Sequence, residues 1–241
     1  MKLDPVLLNM ACSWAMKAYN DSNDEAIEIE SRWTSTTVYV AKRKSIDIVA
    51  FRGTEPYAGR LCHGGFTLAH KSVWREVKEH IDPKKRTLIT GHSLGGALAE
   101  LSASMLNGKH DNINLITFGK PNVFFKGFKK PMTLDNQISC VHGSDIVARV
   151  PRLCYGPSKS QTMLYFSNTG PDYINPSKDT RVADRGGLKD RISDHMMAGY
   201  KERLKEFLDG QEREAKKVVP LSKGEMQELK RIENEIDSRS N

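Results

Sequence analysis

Residues 88–99 read Leu88-Ile89-Thr90-Gly91-His92-Ser93-Leu94-Gly95-Gly96-Ala97-Leu98-Ala99. An apolar run ends at Thr90 and meets Gly91-His92-Ser93-Leu94-Gly95, after which nearly every residue is a good helix former. The pattern is Gly-x-Ser-x-Gly with a strand predicted before it and a helix after it, the context of a nucleophile elbow. A strand-to-helix turn this sharp forces the serine into a strained backbone conformation, which only residues without a Cβ can approach closely. The serine is then presented at a helix N-terminus, where backbone N–H groups point at developing negative charge.

The elements around this stretch alternate. Leu7, Leu8, Ala11, Trp14, Ala15 and Ala18 have helical spacing and predict a core-packing first helix. Residues 20–30 read as acidic and irregular. Thr36–Ala41 and Ile46–Phe51 predict a hairpin across the charged turn Lys42-Arg43-Lys44. Val73, Trp74, Val77 and Ile81 share one face of a helix stopped by Asp82-Pro83. Further strands are expected at 86–90, 113–118, 137–141 and 163–166, with a last helix over 190–208. Such alternation predicts an α/β fold with a mostly parallel sheet covered on both faces.

Composition narrows the function classes. The chain has 241 residues and a net charge of +7. Residues 209–241 hold seven Lys/Arg against eight Asp/Glu, so the body at 1–208 carries +8. Such a balance could attract anionic headgroups or nucleic acid, but a solubilising surface is the commoner origin. Residues 209–241 read as a separate charged tail. Ser222 and Glu225 fit a capping box, and Met226, Leu229, Ile232 and Ile236 form a narrow apolar stripe. Cys12, Cys62, Cys140 and Cys154 lack metal-site spacing and read as free thiols. No signal-peptide pattern and no run of 18 apolar residues is seen, which leads to the expectation of a cytoplasmic protein.

A serine nucleophile needs a base to take its proton and an acid to orient that base. In elbow-type enzymes the chain order is Ser, then Asp or Glu, then His. Only His110, His142 and His195 follow Ser93. His110 comes too soon to leave room for an acid, and His142 belongs to the strand leading to Asp145. His195 comes last and is the expected base. Asp145 stands just beyond a strand end, where active groups gather in parallel sheets, and is the expected acid. Asp194 and Asp190 are the next candidates, although Asp194 adjoins His195 and neighbours on a helix do not face each other.

With these residues assembled, 1–208 resembles the class 3 lipases, the fungal-type family of the α/β-hydrolase fold. The resemblance rests on Phe51-Arg52-Gly53-Thr54, His63-Gly64-Gly65-Phe66, Thr90–Ala99, Phe118-Gly119-Lys120-Pro121, Asp145-Ile146-Val147 with Pro151, and Asp194-His195 with Tyr200. Ala148 replaces the first proline of the family's acid segment. The resemblance implies Ser93 as nucleophile, Asp145 as orienting acid and His195 as general base. It also implies that Thr54 and Leu94 supply oxyanion N–H groups, and that His92 points away from Ser93.

These readings predict a serine carboxylic-ester hydrolase acting on lipid acyl esters, of lipase or phospholipase type, through an acyl-enzyme. No cofactor and no metal is called for. The alternative is a catalytically silent lipase-like binding or signalling protein. Only eight residues, Glu55–Cys62, stand where secreted members carry a lid helix, so no functional lid is expected. The expected partner is a lipid or acyl-ester substrate, with no nucleic acid and no set oligomeric state. Val123, Phe124 and Phe128 read first as packing residues. With Lys126, Lys129 and Lys130 they also fit peripheral contact with a membrane surface.

Overall fold

The computed structural model describes residues 3–20, 24–53, 63–125, 132–151, 155–156, 160–184 and 186–217. Thr54, the lid segment 55–62, the lysines at 126, 129 and 130, Cys62, Cys154 and the tail helix expected from Ser222 onward lie outside them. The strands are β1 (Ile27–Ser31), β2 (Thr36–Lys42), β3 (Ile46–Phe51), β4 (Arg86–His92), β5 (Ile113–Phe118), β6 (Phe124–Phe125), β7 (Asn136–His142), β8 (Tyr155–Gly156), β9 (Thr162–Phe166) and β10 (Tyr173–Ile174). The helices are α1 (Pro5–Lys17), α2 (His63–Glu79), α3 (Leu94–Leu106), α4 (Lys178–Ala183), α5 (Leu188–Ser193) and α6 (Met197–Lys217).

An eight-stranded sheet runs β1-β2-β3-β4-β5-β7-β9-β10, and β6 pairs separately with β8. The five strands β3, β4, β5, β7 and β9 are mutually parallel, while β1, β2 and β10 extend the sheet antiparallel at its edges. This is the mostly parallel α/β-hydrolase sheet. Every residue of β3 and β5 is buried, as expected for strands covered on both faces.

Local chemistry places the helices. Asp4 caps α1 by accepting from the Val6 and Leu7 N–H groups at 3.0 and 3.2 Å, and Pro5 sits in the first turn where no N–H is needed. Its apolar stripe of Leu7, Leu8, Ala11, Trp14 and Ala15 is buried. Burying each large aliphatic side chain contributes about 1.5–3 kcal/mol. Phe66, Val73, Trp74 and Val77 of α2 join Ala97, Leu98 and Ala103 of α3 in one core cluster over β2, β3 and β4. The small residues at the start of α3 let it lie close against the sheet.

Two expectations need correcting. Residues 27–31 form an edge strand, because Ile27 and Ile29 alternate with Glu28 and Glu30 and Ile29 is buried against the core cluster. That alternation is too short to stand out in an acidic stretch. The single helix expected over 190–208 is two helices, α5 and α6, interrupted at residues 194–196. The break follows from Asp194, whose carboxylate is engaged elsewhere, as described below. α4, β6, β8 and β10 are also additional to the expected elements.

Contacts divide the chain into two units, Met1–Lys205 and Glu206–Asn241. The expected boundary between 208 and 209 falls within α6, which continues through Gly210 to Lys217.

Candidate active site

Ser93 follows β4 and immediately precedes α3, with φ 55° and ψ −126°. A non-glycine residue here costs on the order of 1–3 kcal/mol, so the surroundings must enforce it. They do so by crowding. A Cβ on Gly95 would sit 2.2 Å from the Phe51 carbonyl oxygen, and one on Gly91 would sit 2.4 Å from the Gly95 carbonyl carbon. The Ser93 N–H donates to the Phe118 carbonyl at 3.0 Å, which ties the turn to β5.

His195 lies in the break between α5 and α6, and its Nε2 is 2.8 Å from Ser93 Oγ. Its Nδ1 is 3.0 and 2.9 Å from Asp145 Oδ1 and Oδ2. Asp145 is fully buried just beyond β7. The turn Val147–Arg149 feeds it, because the Val147 and Ala148 N–H groups donate to Oδ1 at 2.8 and 3.3 Å. A proline at position 148 would have no N–H to give. The alanine therefore adds a donor to the carboxylate as well as altering the loop.

Gly119, at φ +55°, allows the approach of these groups: a Cβ there would lie 2.7 Å from Asp145 Oδ2 and 3.1 Å from His195 Nδ1. Lys120, next in the chain, forms a buried ion pair with Glu100 of α3 at 3.0 Å. This pair, made through Glu100 Oε2, anchors the turn after β5 to the elbow helix, and Oε1 has no hydrogen-bond partner among the described residues.

Tyr200 of α6 is a member of this site that the sequence places only as part of a motif. Its hydroxyl donates to Asp145 Oδ2 at 2.6 Å and accepts from the His142 N–H at 3.1 Å. Burial, then the charge of Asp145, pushes the Tyr200 phenol well above the ordinary tyrosine range, so it stays protonated as a donor. Its position five residues after His195, back on a helix, is the signal that could have marked it.

Asp194 does not approach His195. Its Oδ2 accepts from the Ser144 N–H at 2.7 Å and from Asn168 Nδ2 at 2.8 Å, bracing the segment that carries Asp145. Asp190 bonds the Gly187 N–H at 2.7 Å as a helix cap. His92 also points away from Ser93 Oγ, with both ring nitrogens bonded to other groups. Leu94 is the first residue of α3, next to Ser93, while Thr54 is outside the described residues.

Residues 19–154 match the family model for Lipase (class 3), more than half of the chain. The chain belongs to the class 3 lipase family. It is 30% identical over 140 residues to the secreted mono- and diacylglycerol lipase 1 of Fusarium solani, covering 54% of this chain and 37% of that protein. It is 30% identical over 189 residues to the secreted mono- and diacylglycerol lipase A of Penicillium cyclopium, covering 66% of this chain and 58% of that one. The chain thus spans less than two thirds of the length of either relative. A solved triacylglycerol lipase, described as having a serine protease triad as its catalytic centre, aligns with a TM-score of 0.59 at 19% identity. That alignment covers 78% of this lipase-family chain and 91% of the other. The cytoplasmic expectation is corrected by these relatives, which are named as secreted lipases.

Proposed function

We propose that this class 3 lipase-family chain is a serine carboxylic-ester hydrolase of lipid acyl esters. The observation that carries the reading is the unbroken chain Ser93 Oγ to His195 Nε2 to Asp145, set on a strained elbow. The substrate class follows the names of the relatives: mono- and diacylglycerols come first, as uncharged glycerol esters.

In this reading His195 Nε2 takes the Ser93 proton as Ser93 Oγ attacks the acyl carbon. Asp145 accepts the Nδ1 hydrogen bond and stabilises the imidazolium that forms. The backbone N–H of Leu94 at the start of α3 holds the oxyanion, with Thr54 as the second donor implied by the family pattern. His195 then protonates the departing glycerol oxygen, leaving an acyl ester on Ser93. Water, deprotonated by the same nitrogen, releases the fatty acid and restores Ser93. The working unit is residues 1–208, and 209–241 is an appended charged tail.

A fluorophosphonate probe should label wild-type protein but not Ser93→Ala. Ser93→Ala and His195→Ala should lower hydrolysis of nitrophenyl butyrate by about a thousandfold or more, since such groups act as a unit. Asp145→Asn should also remove most activity. Because the eight residues Glu55–Cys62 are too few for a lid helix, the rate should rise smoothly with ester concentration, without a jump at aggregation. Folded wild-type protein that neither labels nor hydrolyses would favour the silent binding protein instead.

A further inference from the structure

His92 and Tyr19 form a hydrogen-bonded chain that ends on the backbone of His195. His92 Nε2 is 2.7 Å from the His195 carbonyl oxygen, and His92 Nδ1 is 2.6 Å from the Tyr19 hydroxyl. A carbonyl oxygen only accepts, so Nε2 carries the proton. The neutral ring then has its lone pair on Nδ1, and the Tyr19 hydroxyl donates to it. The tautomer is therefore set from both ends.

The chain also touches the end of β3. A Cβ on Gly53 would fall 2.0 Å from the Tyr19 hydroxyl oxygen and 2.7 Å from the His92 carbonyl oxygen. One phenol thus meets the residue preceding Thr54, the residue preceding Ser93 and, through His92, the residue that carries the base. The His92 and His195 rings lie with centroids 4.7 Å apart and tilted by 33°.

We propose that the Tyr19–His92 pair is a positioning bracket that holds the backbone of His195, and so aims its imidazole at both Ser93 and Asp145. The need for it comes from the fold. His195 stands in a break between two helices, so no regular backbone ladder of its own fixes the carbonyl. The groups facing the His195 ring are Asp145 beyond β7, Ser93 at the elbow and His92 at the end of β4, with Tyr200 of α6 behind Asp145. Among these Asp145 is the one acidic side chain. Burial, then the neighbouring His195, brings His92 down to about 3, so the bracket keeps its tautomer under mildly acidic conditions.

The inference rests on the proposed hydrolase reading, and two readouts separate their failures. In steady-state hydrolysis of nitrophenyl butyrate, His92→Leu should lower kcat by about tenfold or more with KM unchanged, as expected for a misplaced base. Tyr19→Phe should give a smaller loss of the same kind. His92→Gln, whose amide N–H can reach the carbonyl, should recover much of the loss. Independently, proton NMR should show a downfield His195 Nδ1–H resonance in wild type and His92→Gln that broadens or shifts in Tyr19→Phe. Wild-type and Tyr19→Phe protein with the same resonance and the same kcat would overturn the bracket, even if His92→Leu failed to fold. A normal wild-type resonance without Ser93 labelling would sink the hydrolase reading and leave the bracket to the NMR comparison.

Discussion

At the scale of single residues, the acid of the site is the best-secured group. Asp145 accepts from two backbone N–H groups, from Tyr200 and from His195, which fills the capacity of a buried carboxylate. Tyr200→Phe would remove one of these donors and leave the His142 N–H without its acceptor. A buried backbone donor left unpaired costs about 1–3 kcal/mol. Tyr200→Phe should therefore lower the unfolding free energy by that amount, seen as a lower urea midpoint, and reduce kcat with little change in KM. An unchanged midpoint would mean that water replaces the hydroxyl at both groups.

At the scale of elements, the break between α5 and α6 does the most for function. A continuous helix through 190–208 would carry Asp194 and His195 on adjacent radial positions without presenting the imidazole to Ser93. Asp194 instead reaches Ser144 and Asn168 at the end of the sheet, and it is buried there. Asp194→Ala should strip the buried Ser144 N–H and the part-buried Asn168 Nδ2 of their acceptor. It should destabilise the fold by about 2 kcal/mol or more and slow hydrolysis through the Asp145 segment. Asp194→Asn keeps an oxygen for the Ser144 N–H and should cost less. Equal losses for the two variants in chemical unfolding would show that charge, not the hydrogen bond to Ser144, holds the turn.

At the scale of the whole molecule, two buried neutral histidines set the response to acid. Burial lowers His70 from 6.5 to about 4, and its Nε2 lies 2.9 Å from Ser102 Oγ. His92 is lowered to about 3. In both, the unfolded chain binds the proton more readily than the folded one. The stability they contribute is thus present above pH 6.5 and is lost as pH falls from there toward the folded values. Each should remove about 2 kcal/mol between pH 7 and pH 5. Urea titrations at the two pH values check this, and His70→Gln should roughly halve the difference. A pH-independent midpoint across that interval would show that neither ring is held neutral.

The sequence alone was enough for the α/β class and the parallel core of the sheet, because strand and helix periods and turns are local properties. The helical spacing of Leu7, Leu8, Ala11, Trp14 and Ala15 marks α1, the strand expected at 86–90 is β4, and Gly91-x-Ser93-x-Gly95 sets the elbow. Chain order leaves His195 as the expected base after the Ser93 elbow, and the place of Asp145 just beyond a strand end made it the expected acid ahead of Asp194 and Asp190. Edge strand β1 was hidden because four alternating residues carry little signal until β2 lies beside them. The donors to Asp145, the engagement of Asp194 and the Tyr19–His92 chain were decided only by the tertiary structure. Tyr19 and His92 are 73 residues apart, and His92 and His195 are 103 apart. No period or short motif encodes a hydrogen bond across such distances; it exists only once the sheet has brought the strand ends together.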